Sequence, residues 1–240
     1  MSKKTPFFAI VLIIAATFIG SEFLTKDIEY QTPVPEQTNL ITEITPEEEW
    51  IISSYDEMMR RIGEEEGQDW LLMSAIAYSE SRFHADLTSK QGAIGLMQIM
   101  PQTARAMGIP EGMEHDPDES VRAAAAYFDY LSHLFRRVPE GERINFVLAS
   151  YNAGFGHIQD AMRLASKYGK NRYVSNENVE TFLRLKNDSI YYTDSLCRNG
   201  RFTGIETTLF VRKVQHKYSE YCLREEQYWE THRDTTHYVP

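Results

Sequence analysis

Residues 77–101 read AYSESRFHADLTSKQGAIGLMQIMP: a carboxylate, Glu80, ends an apolar run, and a Met-rich segment punctuated by Gly92 and Gly95 follows it. Leu72, Met73, Ile76, Ala77 and Glu80 recur at three- and four-residue spacing behind Asp69, a good N-cap. The pattern predicts a helix that starts near residue 70 and carries Glu80 on its apolar stripe. An ionised carboxylate is costly on such a face, so burial raises its pKa and keeps it protonated near neutral pH. A protonated carboxyl can give its proton to a leaving oxygen, the central demand of glycosidic bond cleavage. Position alone does not decide the matter, because a Glu in the last turn of a helix more often bends out to solvent. Gly92 and Gly95 read as a tight loop whose backbone can approach a groove without side-chain clash.

Helical periods continue on both sides of this stretch. The acidic PEEEW opening at Pro46 predicts a helix with a stripe through Trp50, Ile51, Tyr55, Met58 and Ile62. Pro101 opens a short helix that Gly108 closes, and Asp116 with Pro117 caps a longer one whose broad buried face runs from Val121 to Phe135. Another carries Ile144, Val147, Leu148 and Tyr151 and ends at Asn152-Ala153-Gly154, and two more are expected near 157–168 and 205–222. Residues 169–204 are polar, rich in Asn and Tyr, with at best one short helix around 176–186, and the tail 223–240 shows no clear period. Residues 86–99 leave room for a small β-hairpin. The fold expected is mainly α, with a small β-hairpin or loop region beside the groove.

At 240 residues with 42% hydrophobic content the chain can bury one ordinary core. A formal net charge of -10 leaves no Lys/Arg stripe to neutralise phosphates, which argues against nucleic acid as a partner. Two lysines, an uncharged apolar run over residues 7–19 and then Glu22 have the layout of an export signal. The reading is therefore residues 1–23 as signal peptide or membrane anchor, 24–45 as a Pro-containing linker, and a folded domain over 46–222. The body is expected outside the cytoplasm, in the periplasm or envelope of a bacterium, either released or held at the inner or outer membrane by its N-terminus. Cys197 and Cys222 are the two cysteines, and in an oxidising compartment they are expected to pair, closing a loop worth roughly 3 kcal/mol. The alternative is two free, partly buried thiols.

Glu80-Ser81, then GAIGLMQIMP from Gly92, and much later SYNAG at residues 150–154 stand in one order. Together they resemble the lytic transglycosylases of the goose-type lysozyme superfamily, most nearly the catalytic module of the membrane-bound murein transglycosylase F type, with core motifs over residues 65–222. That type carries a solute-binding module ahead of the catalytic one, where this sequence has a short linker. The resemblance implies an α+β lysozyme-like fold and cleavage of the β-1,4 bond between N-acetylmuramic acid and N-acetylglucosamine in peptidoglycan strands. It implies Glu80 as the single catalytic acid/base and places Ser81, its companion in the pair, among the substrate-binding residues of the groove. Ser89, Met97, Gln98, Met100, Tyr151 and Asn152 match residues that contact or line the glycan groove. Ser150 stands where the motif has Ala, a small-for-small change. GIETTLFVRKV resembles a late Glu-Thr motif with Phe210 in place of Tyr, which makes Glu206 a groove residue.

From the residues themselves, Gln98 offers a donor and an acceptor for an acetamido group or else satisfies its own loop, and a buried Tyr151 phenol needs a partner, for which Glu80 is the natural candidate. Ordinary glycosidases need two carboxylates flanking the bond. Only the loop residue Asp86 and Glu206 offer a second one. The resemblance supplies the nucleophile from the substrate, the carbon-6 hydroxyl of muramic acid, giving a 1,6-anhydro end. A water-using muramidase on the same scaffold and a non-catalytic glycan-binding or scaffold protein are the rival readings. The seven His residues are scattered and no HExxH occurs, so no metal and no cofactor is expected.

Overall fold

The computed structural model describes residues 50–233. The expected export segment, the linker, the start of a helix at Pro46 and residues 234–240 lie outside them. Among the described residues the chain forms α1 (Asp56–Glu66), α2 (Trp70–Ser81), α3 (Pro101–Ala106), α4 (Pro117–Leu134), α5 (Glu140–Ala153), α6 (Phe155–Lys167), α7 (Glu180–Leu185), α8 (Ser189–Tyr192) and α9 (Ile205–Arg233). No helix among them is long and apolar enough to cross a membrane.

The first helix begins later than its apolar spacing implies. Residues 50–55 are not helical, because the Asp56 carboxylate accepts the backbone N–H groups of Ile52 (2.7 Å) and Ser53 (2.9 Å) and folds the preceding turn back on itself. Trp50 then packs edge-on against Trp70, with ring centroids 5.6 Å apart. Asp69 caps α2 as its sequence predicts, accepting from Leu71 N (2.8 Å) and Leu72 N (3.3 Å). Leu71 through Ala77 are all buried, so α2 is the central helix, enclosed on every side rather than striped, with α1 and α9 packed against it. Asp116 likewise caps α4 through Glu119 N at 3.0 Å, with Pro117 in the first turn.

Between α2 and α3 the expected hairpin reduces to two isolated antiparallel bridges, Thr88 with Ile94 and Ile94 with Ile99. Ile94 and Ile99 exchange both backbone hydrogen bonds, at 3.0 and 3.1 Å. The loop needs glycine at residue 95, where φ is +76° and a Cβ would fall 2.4 Å from the carbonyl oxygen of Glu114.

The late chain is more ordered than its polarity suggests. Residues 169–204 contain a π-turn at Ser175–Val179 as well as α7 and α8. They are pinned from inside by Asp160, a fully buried residue of α6. Its carboxylate accepts the equally buried Lys186 ammonium at 2.6 Å and the backbone N–H groups of Arg198 (3.0 Å) and Asn199 (2.9 Å), and it also pairs with Arg163. Helix α9 runs on past Cys222 to Arg233, where the sequence shows no period. That extension is largely solvated, so nothing selects an apolar stripe; good helix formers and the Arg60–Glu225 ion pair to α1, at 3.4 Å, carry it.

The cysteines do not pair. Cys197, in the turn after α8, donates to the Tyr191 carbonyl at 3.2 Å beside the Asp160–Lys186 cluster, whereas Cys222 sits on α9 next to Tyr218 and Asp69. The two thiols belong to different neighbourhoods, and the expected bridge gives way to two free, partly buried cysteines.

Candidate active site

A groove of about 610 Å³ is lined by the end of α2, the 89–100 loop, Thr103 of α3, Tyr127 of α4, the end of α5, and the segment leading into the first turn of α9. Glu80 contributes from α2. Its carboxyl is partly buried and has no hydrogen-bond partner among the described residues. Burial pushes it up to about 8, against the pull of the Lys213 charge on α9. Lys213 donates to the carbonyl of Ser79 at 2.8 Å, so it occupies a free carbonyl in the last turn of α2, one residue before the acid. The Glu80 carboxyl is therefore held mostly protonated at pH 7, at an open groove.

The loop supplies the next side chains. Ser89 accepts the N–H of Ala93 at 2.9 Å and lines the groove, as does the exposed Met100. Gln98 is held at φ +48°, a strained value for a residue with a side chain. Its amide nitrogen compensates by donating to the carbonyls of Leu87 (3.0 Å) and Gly95 (2.9 Å). Both amide hydrogens thus go to the loop, and the side-chain oxygen is the group left to meet a ligand.

Two of the expected groove residues lie elsewhere. Ser81 is buried and donates to the carbonyl of Leu96 at 2.7 Å, tying the end of α2 to the loop. Met97 is fully buried in the core and offers the groove no side chain. Its carbonyl instead accepts the Tyr151 phenol at 2.9 Å, so the partner expected to be Glu80 is a backbone oxygen. The Tyr151 ring still lines the groove, and burial together with the Glu80 carboxyl holds its phenol well above its ordinary value.

Asn152 lines the groove and accepts the Thr207 hydroxyl at 2.8 Å, which fastens the end of α5 to the first turn of α9. Glu206, exposed in that turn, is the second carboxylate on the lining; Asp86 is exposed and does not line it. Tyr127 and Phe202 also form the wall, and neither stood out in the sequence. Tyr127 falls on the apolar period of α4 and reads as core, but it packs its ring 5.7 Å from Tyr151 and reaches the groove. Phe202 sits in a polar stretch with no period, and it is held by its stack on His157, centroids 4.2 Å apart, and by its N–H, which donates to the Lys186 carbonyl at 3.2 Å.

The arrangement offers one neutral carboxyl at an extended groove, aromatic surface from Tyr127, Tyr151 and Phe202, and polar edges from Gln98 and Asn152. Aromatic faces and amide groups suit a string of acetamido sugars.

Residues 57–174 match a protein family described as Transglycosylase SLT domain. The membrane-bound lytic murein transglycosylase F of Marinobacter nauticus is 36% identical over 167 residues, covering 68% of this chain and 32% of that protein. The protein of the same name from Maricaulis maris is 36% identical over 151 residues, 61% of this chain and 31% of its own length. The chain thus spans about a third of the length of these curated relatives. Among solved structures, the 70 kDa soluble lytic transglycosylase from Escherichia coli aligns over 70% of this chain and 24% of its own, at 25% identity and a TM-score of 0.48.

Proposed function

Residues 57–174 of this chain belong to the transglycosylase SLT family, and from that premise we propose that the protein is a lytic transglycosylase of the bacterial envelope. Its substrate is the murein glycan strand, cut between N-acetylmuramic acid and N-acetylglucosamine. The observation that carries this reading is Glu80, a carboxyl held neutral near pH 7 by burial at the groove while no second partly buried carboxylate lines it.

Glu80 acts first as acid. Its proton passes to the glycosidic oxygen as the bond from that oxygen to the muramic acid anomeric carbon breaks. The carbon-6 hydroxyl of the same sugar then bonds to the anomeric carbon, and its proton returns to the Glu80 carboxylate. No water is consumed and the side chain ends as it began. An attacking hydroxyl on the same sugar has an effective concentration that free water lacks, so one carboxyl suffices. Tyr151 and Gln98, fixed by their bonds to the 87–97 loop, hold the sugar against Glu80. The envelope location follows the names of the relatives and the charge layout of residues 1–23.

Digesting purified sacculi with the protein and weighing the soluble products tests this. The expected products end in 1,6-anhydro-N-acetylmuramic acid, about 18 Da lighter than hydrolytic ends because no water is added. Mainly reducing muramic acid ends would make the protein a muramidase, with Glu206 the group to examine as base. Binding without cleavage would make it a scaffold.

A further inference from the structure

Gly154 lines the groove and Phe155, the next residue in the chain, lines a second hollow. The second, about 190 Å³, lies between the end of α4, α6 and the segment that follows α6. Phe135, Val138 and Met162 give it apolar walls, and Arg137, Arg172 and Gln159 give it polar ones. Among the described residues Arg60, Arg61, Arg122, Arg163 and Arg212 meet a carboxylate, and most of the other arginines, Arg105, Arg136 and Arg184 among them, do not. Arg137 and Arg172 meet none among the described residues. Arg172 lies over the Tyr173 ring at 5.6 Å, and its Nε is buried with no hydrogen-bond partner. Burying a donor unpaired is costly, and an acceptor entering the hollow would relieve that cost.

We propose that this hollow is a carboxylate subsite that takes one acidic residue of the peptide stem borne by the muramic acid of a strand lying in the groove. The proposal rests on the reading of the groove as a murein site. Guanidinium forks match the two oxygens of a carboxylate, and the apolar walls suit the hydrocarbon that carries it. Free ligands usually occupy roughly 300–1,000 Å³. At about 190 Å³ the hollow fits a single residue of a longer molecule rather than a free metabolite.

Two measurements test it. In the first, the full-length protein carrying Glu80→Gln is titrated with free stem tetrapeptide and, separately, with acetate. The tetrapeptide is expected to bind, and Arg172→Met and Arg137→Met are each expected to weaken it at least tenfold with unchanged melting temperature. Should Arg172→Met melt early, Arg172→Lys, which keeps the charge and loses the fork, replaces it and is expected to weaken binding less. No tetrapeptide binding, or binding indifferent to these substitutions, overturns the subsite; acetate bound as tightly as the peptide overturns its assignment to the stem. In the second, the ratio of kcat/KM on stem-bearing strands to that on strands stripped by an amidase is expected to fall about tenfold in Arg172→Met, and an unchanged ratio overturns the proposal. If the wild type cleaves neither strand, the transglycosylase reading has failed and the titration alone decides the subsite.

Discussion

In the proposed mechanism Glu80 is made a proton donor by its surroundings rather than by a hydrogen-bonded partner, and that has two measurable consequences. Glu80→Gln keeps the shape but cannot cycle a proton, so cleavage of sacculi is expected to fall at least a thousandfold while glycan binding persists, in line with losses of about 10²–10⁴ for acid–base groups. Residual turnover within tenfold of wild type would remove Glu80 from its role. The second consequence is thermodynamic. The folded protein holds the Glu80 proton up to about pH 8, whereas the unfolded chain loses it near 4.5. Its stabilising effect is therefore complete below about pH 4.5 and is lost as pH rises through about 8, at up to about 1.4 kcal/mol per pH unit. The Gln variant has no such proton to lose, so urea titrations should show its stability gaining on wild type between pH 5 and pH 8.

At the scale of elements, the site is assembled by helix ends meeting a loop, and this explains what was legible in the sequence. The caps at Asp69 and Asp116 and the position of Glu80 could be read, because they depend on neighbours a few residues away. Ser81 and Met97 could not be placed correctly, because their direction depends on how the 87–100 loop folds over the end of α2, a contact fifteen or more residues away in sequence. The long α9 escaped detection past Cys222 for the opposite reason: a solvated helix needs no period. That helix also delivers Lys213 to the last turn of α2, where its charge opposes the effect of burial on Glu80. Replacing Lys213 with Met removes the opposition, so the alkaline limb of kcat/KM for sacculi cleavage, set by loss of the Glu80 proton, should move to higher pH. A limb that stays in place or moves to lower pH would show that Lys213 acts only as a cap for α2.

For the whole molecule, the wall of the groove depends on a buried charge pair behind it. Asp160 and Lys186 are both fully buried, and from the same carboxylate Asp160 holds the N–H groups of Arg198 and Asn199, just ahead of the groove residues Phe202 and Thr203. Burial works against the Asp160 charge, but the Lys186 ammonium and these N–H donors outweigh it and hold the carboxyl far below the ordinary range. A depressed folded value means that this stabilisation is present above the unfolded value near 3.8 and is lost as pH falls below it. Asp160→Asn at pH 7 leaves a buried ammonium facing a neutral amide, and the expected loss of unfolding free energy is about 3–5 kcal/mol. Adding Lys186→Met removes the stranded charge, so the double variant should recover most of that stability. It should not recover the wall, because Arg198 and Asn199 donate to different Asp160 oxygens and an amide has only one, so one of the two N–H groups is left facing an NH2. Cleavage by the double variant is therefore expected to stay about tenfold below wild type in kcat/KM even where urea unfolding shows the fold restored. A single Asp160→Asn that costs less than about 1 kcal/mol, or a double variant with full activity, would show that the pair supports neither the fold nor the groove.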